Sequence, residues 1–128
     1  MNKLIIDVAN EKFFLMIITS ANIYNITHEN TKINYERLTL IINDFLSSKN
    51  LKIAEINTIY INNRTRSFAG IRNLMSIVKA LNVAKNIDYY CYNLDDFKDE
   101  KDLNYENIPD FCEKYKVKKN LINPIYIS

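Results

Sequence analysis

The sequence predicts an α/β fold, a mixed five-stranded sheet in the chain order β-β-β-α-β-α-β with a short C-terminal tail segment. Three observations carry this. Apolar runs of strand length lie at 4–8, 13–18 and 23–27, joined by stretches too short for a helix. Two longer stretches, 34–50 and 68–85, repeat apolar residues at helical spacing. Each is followed by a further strand-length run, at 57–61 and at 89–92.

The elements follow in order. Leu4 to Val8 is a short apolar strand, and Phe13 to Ile18 (FFLMII) is aromatic and β-branched. Thr19 to Asn22 reads as a turn and Ile23 to Thr27 as a third strand, which makes an antiparallel meander. Asn34 is placed to cap the first helix, Glu36 suits its positive end, and Leu38, Ile41, Ile42 and Phe45 form one stripe. That helix is expected to end near 48–50. Residues 57–61 (NTIYI) form a strand bounded by Asn62 and Asn63. The second helix runs from Phe68 to Lys85, with Ser67 as N-cap and Asn86 as a left-handed stop. Tyr89 to Tyr92 is the fifth strand. A helix joining two neighbouring strands requires a parallel crossover. A meander followed by such crossovers is the ribonuclease-H-like arrangement, shared with the actin/Hsp70-like ATPases.

Beyond residue 93 the pattern weakens. Residues 95–106 (DDFKDEKDLNYE) are polar and acidic and read as a loop or short surface helix. IPDFCEKYKV (108–117) reads as a short helix with Pro109 in its first turn. There is no internal repeat.

Composition narrows the function classes. The chain has 128 residues, 48% hydrophobic and 25% charged, which suits one folded domain. A net charge of +2 is too small to argue for general nucleic-acid binding. Two cysteines, Cys91 and Cys112, and one histidine, His28, cannot build a His/Cys metal cluster. Both thiols read as reduced, which fits a cytoplasmic protein. The N-terminus shows no signal-peptide pattern, and no run of about 18 apolar residues marks a membrane span.

The second helix is too apolar for one face. Ile71, Leu74, Met75 and Val78 form a stripe, and Ile77, Leu81 and Ala84 widen it to half the circumference, where a surface helix needs an arc of about 100°. Ala69, Ser76, Ala80 and Ala84 make a small-residue ridge on its flank. The polar side is essentially Arg72 and Lys79. Wide arcs are usually core, so packing between the sheet and the first helix is the leading expectation. A protein–protein surface built from the two helices is the alternative, and Leu40, pointing away from the first helix's stripe, adds to it.

Four stretches resemble the TsaB (YeaZ) family, bacterial proteins that help make N6-threonylcarbamoyladenosine in tRNA. LIIDVANEKFFLMII (4–18) is similar to the family's opening strand, acidic turn and second strand. NYERLTLIINDFL (34–46) is similar to its first helix. NTIYINNRTRSFAGIRNLMSIVKAL (57–81) is similar to its signature of a strand, a Gly-rich turn and a helix, with Ser67, Phe68, Gly70 and Arg72 at the matching spacing. NPIYIS (123–128) resembles its ending. The resemblance implies a single ribonuclease-H-like domain with its core in 1–93, and a short segment, 94–128, in place of the family's second subdomain. It also implies a non-catalytic scaffold without a cofactor, whose helices bind a TsaD-like ATPase or a second copy of the chain, with an indirect association with tRNA. On that reading the interface falls to Leu38, Ile42, Phe45, Ile71, Leu74, Met75, Val78 and Ala80, while Ser67 and Gly70 shape the helix start.

The departures bear on chemistry. Arg64 and Arg66 stand where the family has glycines, and Thr65 where it has proline. Phosphate loops need glycine so that backbone N–H groups can close on the ligand; RTRSFAG, with Gly70 the sole glycine of the chain, does not read as one. A ribonuclease-H-like nuclease needs several carboxylates around metal ions. Asp7 is one, but Asn62 and Asn63 occupy the end of the fourth strand, so Asp7 reads as a turn-forming residue. His28 reads as a solvated loop residue. Arg64 and Arg66 are candidates for tRNA phosphate contact, against solvated arginines or partners of carboxylates such as Glu36. Lys114, Lys116, Lys118 and Lys119 form a basic patch that the acidic run can neutralise. A small nucleic-acid-binding or hydrolytic domain and a decayed, self-associating paralogue are the alternatives to the scaffold.

Overall fold

The computed structural model describes residues 1–65, 68–119 and 125–126, and their side chains except those of 65, 68–71, 125 and 126. Strands β1 (Lys3–Asp7), β2 (Lys12–Ile18) and β3 (Ile23–Glu29) form the expected antiparallel meander. Strand β4 (Thr58–Asn62) runs parallel to β1, and the two-residue β5 (Arg64–Thr65) follows it. Strand β6 (Asp88–Tyr92) runs parallel to β4, as the crossover requires. The five-stranded sheet has the order β3-β2-β1-β4-β6. Strand β5 leaves this sheet and pairs in parallel with β7 (Ile125–Tyr126), where the sequence predicts only a loop.

The first helical stretch is divided. Helix α1 (Lys32–Glu36) is capped by Thr31, whose hydroxyl accepts from the Asn34 N–H at 3.2 Å. The cap thus lies three residues before the expected one, and the Asn34 amide instead donates to the Glu29 carbonyl at 2.7 Å. Arg37, at φ −100° and ψ 12°, interrupts the helix before α2 (Leu38–Ser48). Helix α3 spans Phe68–Lys85, and Asn86 stops it at φ 56°. Asparagine tolerates this left-handed conformation better than other non-glycine residues.

Strand side chains alternate between two faces, and over β1, β2 and β4 both are covered, which is why these strands read as nearly continuous apolar runs, whereas one face of β3 is exposed. Leu4, Ile6, Val8, Phe13, Leu15 and Ile17 pack against α1, α2 and α3. Ile5, Met16, Tyr60 and Tyr92 point the other way, onto Phe97, Ile108, Phe111 and Cys112. The acidic stretch is the expected surface segment of loop and short helical turns, but it is anchored: a 3-10 turn at Leu94–Phe97 drives Phe97 to complete burial. Helix α4 (Ile108–Lys114), with proline in its first turn as expected, completes this cover. Among the described residues no helix is long and apolar enough to cross a membrane.

Candidate functional site at the strand ends and on the outer helix face

The carboxyl ends of parallel strands are where open α/β sheets place their ligands. Here the register sets Asp7 of β1 beside Asn62 of β4, and Asn62 opposite Tyr92 of β6. All three are buried, Asp7 at 1% exposure. Asp7 Oδ1 accepts from the Ala9 N–H at 2.9 Å, the local turn its sequence position suggested. Oδ2 accepts from the Tyr105 hydroxyl at 2.8 Å and, more weakly, from the Asn62 amide at 3.4 Å. The Asn62 side-chain oxygen Oδ1 in turn accepts from the Arg64 N–H at 3.0 Å, which fixes the start of β5.

Tyr105 closes the site. It lies in a 3-10 turn (Tyr105–Asn107) just before α4, and its ring stacks on Phe14 with centroids 3.9 Å apart. Burial, then the Asp7 charge, pushes its phenol well above the usual range. Burial and the same charge also raise the fully buried Tyr92, whose hydroxyl finds no hydrogen-bond partner among the described residues. Sequence reasoning missed Tyr105. The only signal was an aromatic residue, like Phe97, inside an otherwise polar run.

As a chemical centre this arrangement offers one carboxylate whose oxygens are already engaged. Asn62 supplies a neutral amide where a two-metal nuclease would need a second carboxylate, and the described residues contain no group of three or more His, Cys, Asp or Glu that could hold a metal. The hydrogen bond from Tyr105 goes to a charged acceptor, so Tyr105→Phe is expected to cost about 1.5–3 kcal/mol. Urea unfolding checks this; an unchanged midpoint would mean that the bond is not formed in solution.

The outer helix face is a different matter. Leu38, Ile42, Phe45, Leu74, Met75 and Val78, expected as interface, are all buried in the chain's own core. The sheet's upper face needs these side chains, so none is free for a partner. Ala80 is exposed, as are Leu40, Ser76 and Val83. Asn73 joins the helices, its amide donating to the Tyr35 carbonyl at 2.5 Å. Arg72 lies exposed on α3. The expectations for Arg66 and Ser67 lie outside the described residues, as do those for the side chains of Phe68, Gly70 and Ile71.

Arg64 pairs with Asp95 at 3.2 Å rather than with Glu36, an exposed contact of about 1 kcal/mol or less. Lys114 meets Glu100 at 2.6 Å and Lys119 meets Asp88 at 3.1 Å, so part of the basic patch is neutralised within the chain. His28 is not in a loop: it lies half-buried on β3 and lines a groove of about 240 Å³ between β3 and α2, with Arg37, Ile41, Asp44 and Phe45.

No family model matches the sequence, and no curated protein matches it. Solved structures do. YeaZ from Pseudomonas aeruginosa superposes with a TM-score of 0.64 at 15% identity, over 72% of this chain and 43% of that one. A crystal structure described as an uncharacterized protein with similarity to peptidase YEAZ, from the same organism, matches equally, with a TM-score of 0.64 at 15% identity over 72% and 43% of the two chains. T. thermophilus RuvC in complex with a Holliday junction substrate matches with a TM-score of 0.50 at 10% identity, over 77% of this chain and 68% of that one. The chain thus has a YeaZ-like, coarsely ribonuclease-H-like fold, and spans less than half the length of the YeaZ structures.

Proposed function

We propose that this chain is a TsaB-like scaffold subunit without catalysis of its own, supporting N6-threonylcarbamoyladenosine modification of tRNA by docking a TsaD-like ATPase. What supports this is the YeaZ-like fold together with a strand-end carboxylate that the chain's own Tyr105 occupies. The docking surface moves from the buried stripes to the outward residues of the same helices, Leu40 on α2 and Ser76, Ala80 and Val83 on α3. Leu40 at 47% and Val83 at 85% exposure supply apolar area, and small Ser76 and Ala80 permit close helix approach. Co-purification with a TsaD-like ATPase tests the reading. Ala80→Glu should weaken the pair at least tenfold while leaving stability within about 0.5 kcal/mol, because the site is exposed. A folded protein that captures no such ATPase sinks the proposal.

The likeness to RuvC favours a nucleic-acid reading as the second choice. On it, Arg64 exchanges Asp95 for a tRNA phosphate. Salt-sensitive tRNA binding that falls on Arg64→Ala would support this over the scaffold.

A further inference from the structure

The groove between β3 and α2 shares no lining residue with the strand-end carboxylate or with the outward residues of α3. Side chains alternate along β3, so Ile26 and His28 turn to the helix side and lie half-buried. From the helix side come Arg37, at the junction of α1 and α2, and Ile41, Asp44 and Phe45 at the spacing of one helix face. The floor is apolar, built from Ile26, Ile41 and Phe45. Above it stand one cation and one anion. At about 1.5 Å of rise per residue, the Cα atoms of Arg37 and Asp44 are about 10 Å apart.

The chain leaves both charges unmatched. Among the described residues, neither the Arg37 nor the Asp44 side chain takes part in a hydrogen bond or an ion pair. Charged neighbours that could have served are turned elsewhere. Glu29, beside His28 in sequence, pairs with Lys12 at 3.2 Å, and Lys49 lies over the Tyr24 ring at 4.7 Å from its centroid.

We propose that this groove binds a free α-amino acid with an apolar side chain. Its carboxylate sits on the Arg37 guanidinium, its ammonium on Asp44, and its side chain on Ile26, Ile41 and Phe45. A guanidinium meets a carboxylate with two parallel hydrogen bonds, and His28 adds a hydrogen-bonding ring on the strand wall. The charge pattern selects the class. A simple anion gains from Arg37 but is repelled by Asp44, and a simple amine the reverse; a zwitterion gains from both. Size narrows it further. The volume of about 240 Å³ equals that of about eight waters, which suits a molecule of about ten non-hydrogen atoms, the size of leucine or methionine. Arg37 and Asp44 are exposed, so solvent screening holds the affinity to a Kd of about 1 mM. The site shares no residue with the proposed ATPase docking surface, so either can fail without the other.

An NMR titration of the full chain with L-leucine tests it. Amide signals of Ile26 to His28 and of Arg37 to Phe45 should shift and saturate, while those of α4 stay in place. N-acetyl-leucine lacks the ammonium and leucinamide lacks the carboxylate, and each should bind at least about tenfold more weakly. These two compounds also imitate the ends of a polypeptide. If either binds as tightly as leucine, the groove takes a chain end or a single charge and the proposal falls. Arg37→Gln and Asp44→Asn should each weaken leucine by about tenfold with unchanged melting, since both positions are exposed. If Arg37→Gln disturbs the helix junction, Asp44→Asn alone decides. No saturable shift up to about 20 mM leucine overturns the proposal. So does unchanged binding by Asp44→Asn, or saturable shifts confined to residues outside the groove.

Discussion

Raising the pH above about 10 should strip stability from this protein steeply, because the fold keeps phenol protons that the unfolded chain gives up. Tyr60, Tyr92 and Tyr105 have the largest upward shifts, in each case chiefly from burial. The sign follows directly. A folded pKa above the unfolded value of about 10 gives stability that is complete below that pH and lost as pH rises toward the folded value. Each phenol contributes a slope of about 1.4 kcal/mol per pH unit, so three give about 4. Against a total of about 5–15 kcal/mol, two or three units of pH should suffice for unfolding. Tyr92→Phe separates this from general alkaline damage. It should lower the slope by one proton, and it should not destabilise at neutral pH, because the hydroxyl it removes is buried without a partner among the described residues. Urea titrations at a series of alkaline pH values read both quantities; a slope unchanged by Tyr92→Phe would remove Tyr92 from the account.

The five strands of the main sheet and α3 were legible because their signals are local, whereas the break at Arg37 and strand β5 were not. Short apolar runs bounded by turn residues marked β1 to β4, and Asn86 marked the end of α3. The helix cap was misplaced because Thr31 and Asn34 are both good caps, and only the chain's path after β3 decides between them. Burial of Leu38, Leu74 and Val78 shows the same limit from another side: a helical wheel gives an apolar arc but not what covers it. Ala80 and Leu40 came out exposed because they lie off the main stripes.

The strand-end site was half legible. Asp7 after an apolar strand and Asn62 after another are visible in sequence, and their parallel pairing follows from the crossovers. The contact from Tyr105 was not, because it joins residues 98 positions apart through a segment with no periodicity. Short 3-10 turns leave no repeat to read. Two aromatic residues, Phe97 and Tyr105, set in a run of Asp, Lys and Asn were the available sign that the run is anchored.

Replacing Phe97 by alanine tests that anchor and is expected to cost about 3–5 kcal/mol, the range for deleting a fully buried aromatic ring. Phe97 is 0% exposed and sits within 6 Å of three rings, with centroids at 5.9 Å to Tyr92, 5.4 Å to Phe111 and 5.8 Å to Tyr115. The loss should not be spread evenly. Helices α1 to α3 keep their own core on the opposite face, while the cover from Leu94 to Lys114 loses its largest fully buried side chain. Amide exchange should therefore accelerate first in α4 and around Tyr105, and less in β1 and β2. Because Tyr105 closes Asp7, that local opening also uncovers the strand-end carboxylate. Phe97→Leu, which keeps most of the apolar volume, should cost less than half as much. If Phe97→Ala unfolds at the same urea concentration as the natural chain, the segment after β6 is not docked on the sheet, and the sealing of Asp7 falls with it.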